Sequence, residues 1–93
     1  MTDYRIFETD EFQRNLRRLD SVPRLFIESK LRRHVYPQLR VRPHSGPNIK
    51  RLRGYTPETW RYRIGRFRVF YAIDDADRIV SMLTVDDRKD AYR

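Results

Sequence analysis

Arginines alternate with large apolar residues over residues 60–71, where the sequence is Trp-Arg-Tyr-Arg-Ile-Gly-Arg-Phe-Arg-Val-Phe-Tyr. This period of two predicts β-strands on both sides of the glycine, and Gly65-Arg66 suits the two-residue connection of a type II′ hairpin. In that hairpin Arg63 lies directly opposite Arg68, and Arg61 is their diagonal neighbour. Like charges placed opposite each other destabilise a hairpin. We therefore interpret this face as a binding surface for a polyanion, the alternative being a solvated outer face of a sheet.

The arginine cluster is suited to phosphate chemistry. Guanidinium groups bind phosphate through paired N–H donors and keep their charge at any working pH. Arg61, Arg63 and Arg68 around one phosphate could hold an RNA backbone, or stabilise the extra negative charge of a pentacoordinate phosphoryl transition state. A second cluster, Arg88 and Tyr92, lies near the end of the sequence. A tyrosine there could stack on an exposed base, the alternative being a ring packed on the sheet edge.

Other catalytic chemistries lack their residues. The sequence has no cysteine, which excludes disulfides and thiolate metal sites and predicts a cytoplasmic protein. Neither His34 nor His44 has a second ligand at metal-binding spacing, so we expect no metal and no cofactor. The acidic segment 74–77 lacks the glycine and the glutamate of a calcium loop. Any catalysis is therefore expected to use arginines, a tyrosine and an aspartate.

The positive charge is concentrated in the middle of the sequence. The net charge is +8, yet residues 21–70 carry 13 basic and 2 acidic side chains, while both flanking segments are slightly acidic. Such an excess attracts phosphate backbones without sequence preference. A length of 93 residues predicts a single domain over 1–93. No apolar run is long enough for a signal peptide or a membrane span, so no membrane partner is expected.

The element pattern predicts an α+β domain of order β-α-α-β-β-β. Short strands are expected at 4–8, 49–53 and 78–85, besides the two strands of the hairpin. Apolar residues at helical spacing predict two amphipathic helices, one capped by Thr9 and one starting near Ser21. Together these elements predict an antiparallel sheet packed on an N-terminal helical hairpin. The expected core comprises Phe12, Leu16, Ile27, Leu31, Val35, Trp60, Tyr62, Ile64, Phe67, Val69 and Tyr71.

Four segments together resemble the RelE/ParE superfamily of bacterial and archaeal type II toxins. They are the opening strand with Tyr4 and Ile6, Asn-Ile-Lys-Arg-Leu-Arg-Gly at 48–54, the arginine-rich segment 60–69, and Val-Asp-Asp-Arg-Lys-Asp-Ala-Tyr at 85–92. The resemblance covers nearly the whole chain. It implies the RelE-like fold and, for the RelE branch, a toxin that enters the ribosomal A site and cuts mRNA. In that reaction the RNA's own 2′-hydroxyl attacks the adjacent phosphate without a metal.

The resemblance also implies roles for individual residues. By position, Arg61, Arg63, Arg68 and Arg88 would bind or stabilise the phosphate, and Tyr92 would stack on or position the cut nucleotide. Asp87 is a candidate proton acceptor or orienting group. Additional RNA contacts are expected from the neighbouring basic residues Lys50, Arg51, Arg53, Arg66 and Lys89.

Two departures from the RelE pattern suggest a slower or differently tuned nuclease. Arg61 and Arg63 stand where the best-known RelE strand has lysines, and arginine does not readily give up its proton. Asp87 stands where many relatives have histidine.

The resemblance further implies partners, namely mRNA on the ribosome, rRNA, and a cognate antitoxin that is acidic where it contacts this chain. Two other functions stay open, a ParE-like poison of DNA gyrase and a catalytically weak RNA-binding member of the superfamily.

Overall fold

A computed structural model describes residues 3–87 of the chain. The strands are β1 (Arg5–Glu8), β2 (Ile49–Leu52), β3 (Thr59–Ile64), β4 (Phe67–Asp74) and β5 (Ile79–Asp87). The helices are α1 (Asp10–Arg18), α2 (Ser21–Lys30) and α3 (Tyr36–Val41), with a π-helical turn (Leu31–Val35) connecting α2 to α3. The predicted α+β class is confirmed, and each of the five expected strands is present. The observed order is β-α-α-β-β-β-β when α2, the π-helical turn and α3 are counted as one helical segment, which is one strand more after the helices than the predicted order. Within the described residues, no helix is long and apolar enough to cross a membrane.

The five strands form one sheet of order β1-β5-β4-β3-β2. Strands β2 to β5 pair antiparallel, as predicted. β1 differs, because it joins the edge of the sheet parallel to β5, with Arg5 beside Ile79 and Glu8 beside Met82. β1 and β5 can lie parallel because the three helices and the strands β2 to β4 separate them in sequence, which provides the long crossover that parallel neighbours need.

The β3–β4 hairpin has the predicted register. Arg63 pairs with Arg68, and Ile64 pairs with Phe67 across the turn. Gly65 adopts a φ of 59°, which is accessible to glycine at little cost and is the value that the first position of a type II′ turn requires. The turn therefore fixes which side chains share a face of the sheet.

The predicted core residues are all buried. The helices cover the sheet face that carries the apolar residues of β3 and β4, and Tyr4, Leu39, Val80 and Met82 complete the cluster. Helix α1 begins as predicted, with Thr9 Oγ1 accepting a hydrogen bond from the Phe12 amide. The same hydroxyl donates to the Met82 carbonyl at 2.8 Å, which ties the start of α1 to β5.

The helical segment after α1 contains a turn that the sequence pattern does not predict. Its buried stripe, Ile27, Leu31, Val35 and Leu39, repeats every four residues. In a regular α-helix, with 3.6 residues per turn, such a stripe drifts around the axis. The π-helical turn holds one more residue per hydrogen-bonded loop, as in the bond from the Tyr36 amide to the Leu31 carbonyl, and thereby counters the drift. All four side chains stay on the core side.

A bulge interrupts the pairing of β4 with β5. Tyr71 pairs with Met82 and Phe70 pairs with Thr84, which leaves Leu83 as an extra residue in β5. β5 also continues to Asp87, whereas the sequence pattern predicts its end at Val85. The two consecutive aspartates that follow Val85 therefore belong to the strand and not to a tail.

A polar cluster joins four separate parts of the chain beside the core. The Tyr4 hydroxyl donates to Asp75 Oδ1 at 2.6 Å, and His44 Nε2 lies 2.9 Å from the same oxygen. The His44 ring also packs edge-on against Tyr4 and Trp60. These contacts link β1, the loop before β2, β3 and the β4–β5 turn.

Truncating Leu39 to alanine is expected to lower the free energy of unfolding by about 2–5 kcal/mol, because its side chain is fully buried. The matched change Leu25→Ala removes the same atoms from a position that is 62% exposed, and a shift within about 0.5 kcal/mol is expected. Urea unfolding followed by circular dichroism measures both. Equal losses in the two variants would contradict the assigned orientation of the helical segment.

Acid is expected to weaken the Asp75 cluster. Hydrogen bonds from Tyr4 and then His44 hold the pKa of the Asp75 carboxyl below its ordinary value near 4. A carboxyl with a lowered pKa stabilises the fold fully above its unfolded pKa, and this contribution disappears as the pH falls through the folded value. The stability difference between the natural chain and Asp75→Asn should therefore be larger at pH 6 than at pH 2.5. A difference independent of pH in urea titrations would show that the carboxylate charge is not involved.

Candidate phosphate-binding groove

A shallow groove of about 260 Å³ lies on the sheet face opposite the helices. Five of its seven lining residues are basic: Lys50, Arg61, Arg63, Arg66 and Arg68. Leu52 and Gly65 complete the lining. The three arginines predicted as a phosphate site therefore share one solvent-facing surface, together with Lys50 and Arg66 from the expected set of RNA contacts.

Strand register explains why these side chains meet. One row across the sheet runs from Arg63 through Arg68 to Asp86, and the next row runs from Lys50 through Arg61. Because side chains on paired residues of adjacent strands project from the same face, both rows line the groove. The apolar residues between them in sequence project to the other face and form the core.

The groove concentrates positive charge in a partly desolvated setting. Burial lowers the pKa of the Arg61 guanidinium, and the neighbouring charges of Arg63 and Arg68 lower it further. Arginine stays protonated in spite of such shifts, because its ordinary pKa lies far above neutral pH. Burial and repulsion from the two neighbouring cations thus both disfavour the charged guanidinium, and a bound anion would relieve the repulsion.

Arg68 is held in place by two neighbours. Its Nη2 atom lies 2.9 Å from Asp86 Oδ2, and its guanidinium carbon lies 5.5 Å from the centre of the Phe70 ring. The ion pair is partly exposed, with 31% of the Arg68 side chain and 42% of the Asp86 side chain accessible. The buried Arg68 Nε has no hydrogen-bond partner among the described residues. Arg68 is therefore oriented by one carboxylate while it still borders the groove.

Asp87 lies on the other face of the sheet from the arginine cluster. It pairs with the core residue Phe67, so the register directs it toward the helices, and 17% of its side chain is exposed. One of its oxygens lies 3.3 Å from Arg66 Nη2 at the hairpin turn. The carboxylate in the row with Arg63 and Arg68 is Asp86. Neither aspartate lines the groove itself, and each contacts one of its arginines, Asp86 through Arg68 and the predicted Asp87 through Arg66.

Two of the remaining predicted residues, Arg51 and Arg53, are described by the structure and fall outside the groove. Arg51 pairs with Trp60 on the opposite face and forms an ion pair with Glu58, with an N–O distance of 3.2 Å. Arg53 lies in the turn after β2 and does not line the groove. Arg88, Lys89 and Tyr92 lie outside the described residues.

A second polar cleft adjoins the groove and was not foreseen from the sequence. Its volume is about 390 Å³, and it lies between the helical segment and the β3–β4 hairpin. Lys30 and His34 line it, and so does Arg63, which also lines the first groove. The sequence signal for this cleft was weak, because Lys30 and His34 come from a helix far from the arginine strands in sequence.

Over residues 3–87, no group of three or more His, Cys, Asp or Glu side chains could hold a metal ion.

Several solved structures share the fold. The chain superposes on the RelBE2 toxin–antitoxin complex of Mycobacterium tuberculosis with a TM-score of 0.70 and 26% identity, covering 92% of this chain and 99% of that one. For the archaeal RelE–RelB complex of Pyrococcus horikoshii the TM-score is 0.68 and the sequence identity is 21%. That superposition covers 95% of this chain and 97% of the other. A mutant of Escherichia coli toxin RelE in the free state superposes with a TM-score of 0.66 and a sequence identity of 20%. The superposition covers 99% of this chain and 90% of the other.

Sequence comparison agrees with the structural likeness. A curated relative from Methanocaldococcus jannaschii, described as a candidate RelE1 toxin, is 44% identical over 46 residues. That alignment spans half of this chain and half the length of the relative. The family model for the ParE toxin of type II toxin–antitoxin systems matches residues 6–92. The chain therefore belongs to the ParE toxin family and is a type II toxin of the RelE/ParE superfamily.

Proposed function

We propose that this toxin is a ribosome-dependent mRNA endonuclease of the RelE type. The observation that carries the proposal is the groove in which Arg61, Arg63 and Arg68 meet on the sheet face that the helices leave open. A gyrase poison would have no evident need for opposed arginines in a groove, whereas an RNA phosphate requires such a group of donors. The resemblance to RelE toxins in fold supports the same assignment. This activity would take place in the cytoplasm.

The proposed reaction breaks the RNA chain at one phosphate. The 2′-oxygen of the preceding ribose forms a bond to phosphorus, and the bond from phosphorus to the 5′-oxygen of the next nucleotide breaks. The 2′-hydroxyl loses a proton and the leaving oxygen gains one, which yields a cyclic phosphate and a 5′-hydroxyl. The arginines stabilise the charge that builds on the phosphate oxygens in the transition state. They act as fixed cations and not as bases, because arginine remains protonated.

Poisoning of DNA gyrase is the second candidate function. The family model that matches residues 6–92 is named for ParE, which favours this alternative. In that case the basic groove would serve another purpose, and the chain would cut no RNA. The two functions differ in their cellular effect, since one arrests translation and the other produces DNA breaks.

The proposed partners are a cognate antitoxin and two kinds of RNA. A cognate antitoxin is proposed because the M. tuberculosis and P. horikoshii relatives were solved as complexes with their antitoxins. The concentrated positive charge of this chain suits an acidic segment of that antitoxin. Messenger RNA and ribosomal RNA are the proposed targets once the antitoxin has left.

Replacing Arg63 or Arg68 with alanine is expected to reduce mRNA cleavage on programmed ribosomes by about 100-fold or more, because each change removes a cation that stabilises the transition state. The matched control is Arg14→Ala, which removes an equal charge from an exposed ion pair in α1. Mapping of mRNA ends after incubation with purified protein measures cleavage. All three variants should keep the free energy of unfolding within about 1 kcal/mol, since the side chains are at least partly exposed.

Intact message at high excess of the natural chain would overturn the endonuclease proposal. Double-strand breaks and an SOS response after induced expression, without translation arrest, would then assign the chain to the gyrase poisons. Salt-sensitive RNA binding without toxicity would assign it to the RNA-binding modules.

Removing the acid beside Arg68 is expected to tighten binding of single-stranded RNA. In Asp86→Asn the guanidinium loses its competing carboxylate, and the dissociation constant should fall by about two- to fivefold at low salt. Asp77→Asn is the control, because it makes the same charge change in the exposed β4–β5 turn. Fluorescence anisotropy with a 2′-O-methyl oligonucleotide measures affinity without cleavage. An equal gain in both variants would indicate a general charge effect and no specific competition by Asp86.

A further inference from the structure

An apolar groove lies on the sheet face that the helices leave open, which is also the face of the phosphate-binding groove. Its volume is about 350 Å³, at the lower end of the range for small-molecule sites. Tyr55, Phe70 and Leu83 provide most of its apolar surface, and Thr59 and Thr84 complete the lining. No charged side chain lines it. We call this second groove the aromatic groove.

The aromatic groove lies beside the phosphate-binding groove on the same sheet face. Phe70, which lines the aromatic groove, pairs with Arg61 on one side and with Thr84 on the other. The Phe70 ring also lies beside the guanidinium of Arg68. A cationic groove thus adjoins an apolar one, and both belong to one surface.

We propose that the aromatic groove binds a nucleobase of the RNA whose phosphate occupies the arginine groove. A nucleotide has the same two-part chemistry, a charged phosphate next to a flat, largely apolar ring. Bases of single-stranded RNA stack on aromatic side chains, and this contact depends little on the base because each base has a π-face. The inference rests on the proposed function for its RNA, and it adds a base-binding subsite that includes none of the predicted site residues.

Tyr55 is the residue that would make the principal stacking contact. Tyr55 is 56% exposed, which leaves a face of its ring accessible to a base. It belongs to the turn between β2 and β3, so its position is set by strands that also supply Lys50 and Arg61. Phe70, in contrast, is half-buried and would form the floor of the groove.

The test uses a short single-stranded RNA with 2′-O-methyl riboses and one 2-aminopurine, whose fluorescence is quenched when the base stacks. The natural chain should quench the probe and bind it about tenfold more tightly than a matched oligonucleotide with an abasic position. Tyr55→Ala should remove both effects, and Tyr55→Phe should restore them. The 2-aminopurine is placed in turn at each position, in a Tyr92→Ala background, so that stacking on Tyr92 does not contribute.

Two further variants separate this inference from the proposed function. Thr84→Phe fills the groove from a half-buried position on the side of the sheet away from the helices, where a strand accommodates an aromatic residue, and should abolish quenching while most phosphate-dependent affinity remains. Leu25→Ala, on a helix at the other face, should behave as the natural chain. If Tyr55→Ala and Thr84→Phe leave quenching and affinity unchanged while Arg63→Ala still abolishes binding, the base subsite is wrong and the RNA function stands. If the natural chain binds no RNA at all, the proposed function fails together with it.

Discussion

The open face of this toxin depends on one electrostatic constraint, the placement of Arg63 directly opposite Arg68 across a tight turn. The two-residue connection at Gly65 fixes this register, because a slip of one residue would move the buried apolar side chains of the slipped strand to the solvent-facing side of the sheet. Repulsion between the arginines is therefore a permanent feature of the folded state. It lowers the intrinsic stability of the hairpin and raises the affinity of that face for an anion.

The rest of the fold compensates for this repulsion on the other side of the sheet. Trp60, Tyr62, Val69 and Tyr71 bury their side chains against the helices, and burial of a large apolar side chain contributes about 1.5–3 kcal/mol. A cross-strand pair contributes or costs about 0.2–1 kcal/mol. Hydrophobic burial thus exceeds the cost of like charges, so the fold tolerates two arginines placed opposite each other. The ion pair of Arg68 with Asp86 offsets part of the repulsion between Arg63 and Arg68.

Local patterns predicted the parts of the structure that depend on neighbours in sequence. The alternation around Gly65 predicted the hairpin register, the arginine row and the buried face. The capping residue Thr9 predicted the start of α1. Features that depend on distant contacts escaped prediction. The parallel pairing of β1 with β5 joins residues more than 70 positions apart, and the aromatic groove needs Tyr55, Phe70 and Leu83 from three separate segments. Asp86 and Asp87 are identical in type, so composition alone could not decide between them.

The bulge at Leu83 decides which acid faces the arginines. If β5 continued without the extra residue, the pairing of Tyr71 with Met82 would bring Val85 next to Arg68 and Asp86 next to Phe67. Val85 would then stand in the cationic row, and Asp86 would take the position beside Phe67 that Asp87 occupies. The one inserted residue shifts the phase of the last strand, so that Asp86 and not Val85 lies opposite Arg68. The electrostatic balance of the groove is thus encoded by the length of β5 as much as by the identity of any charged residue.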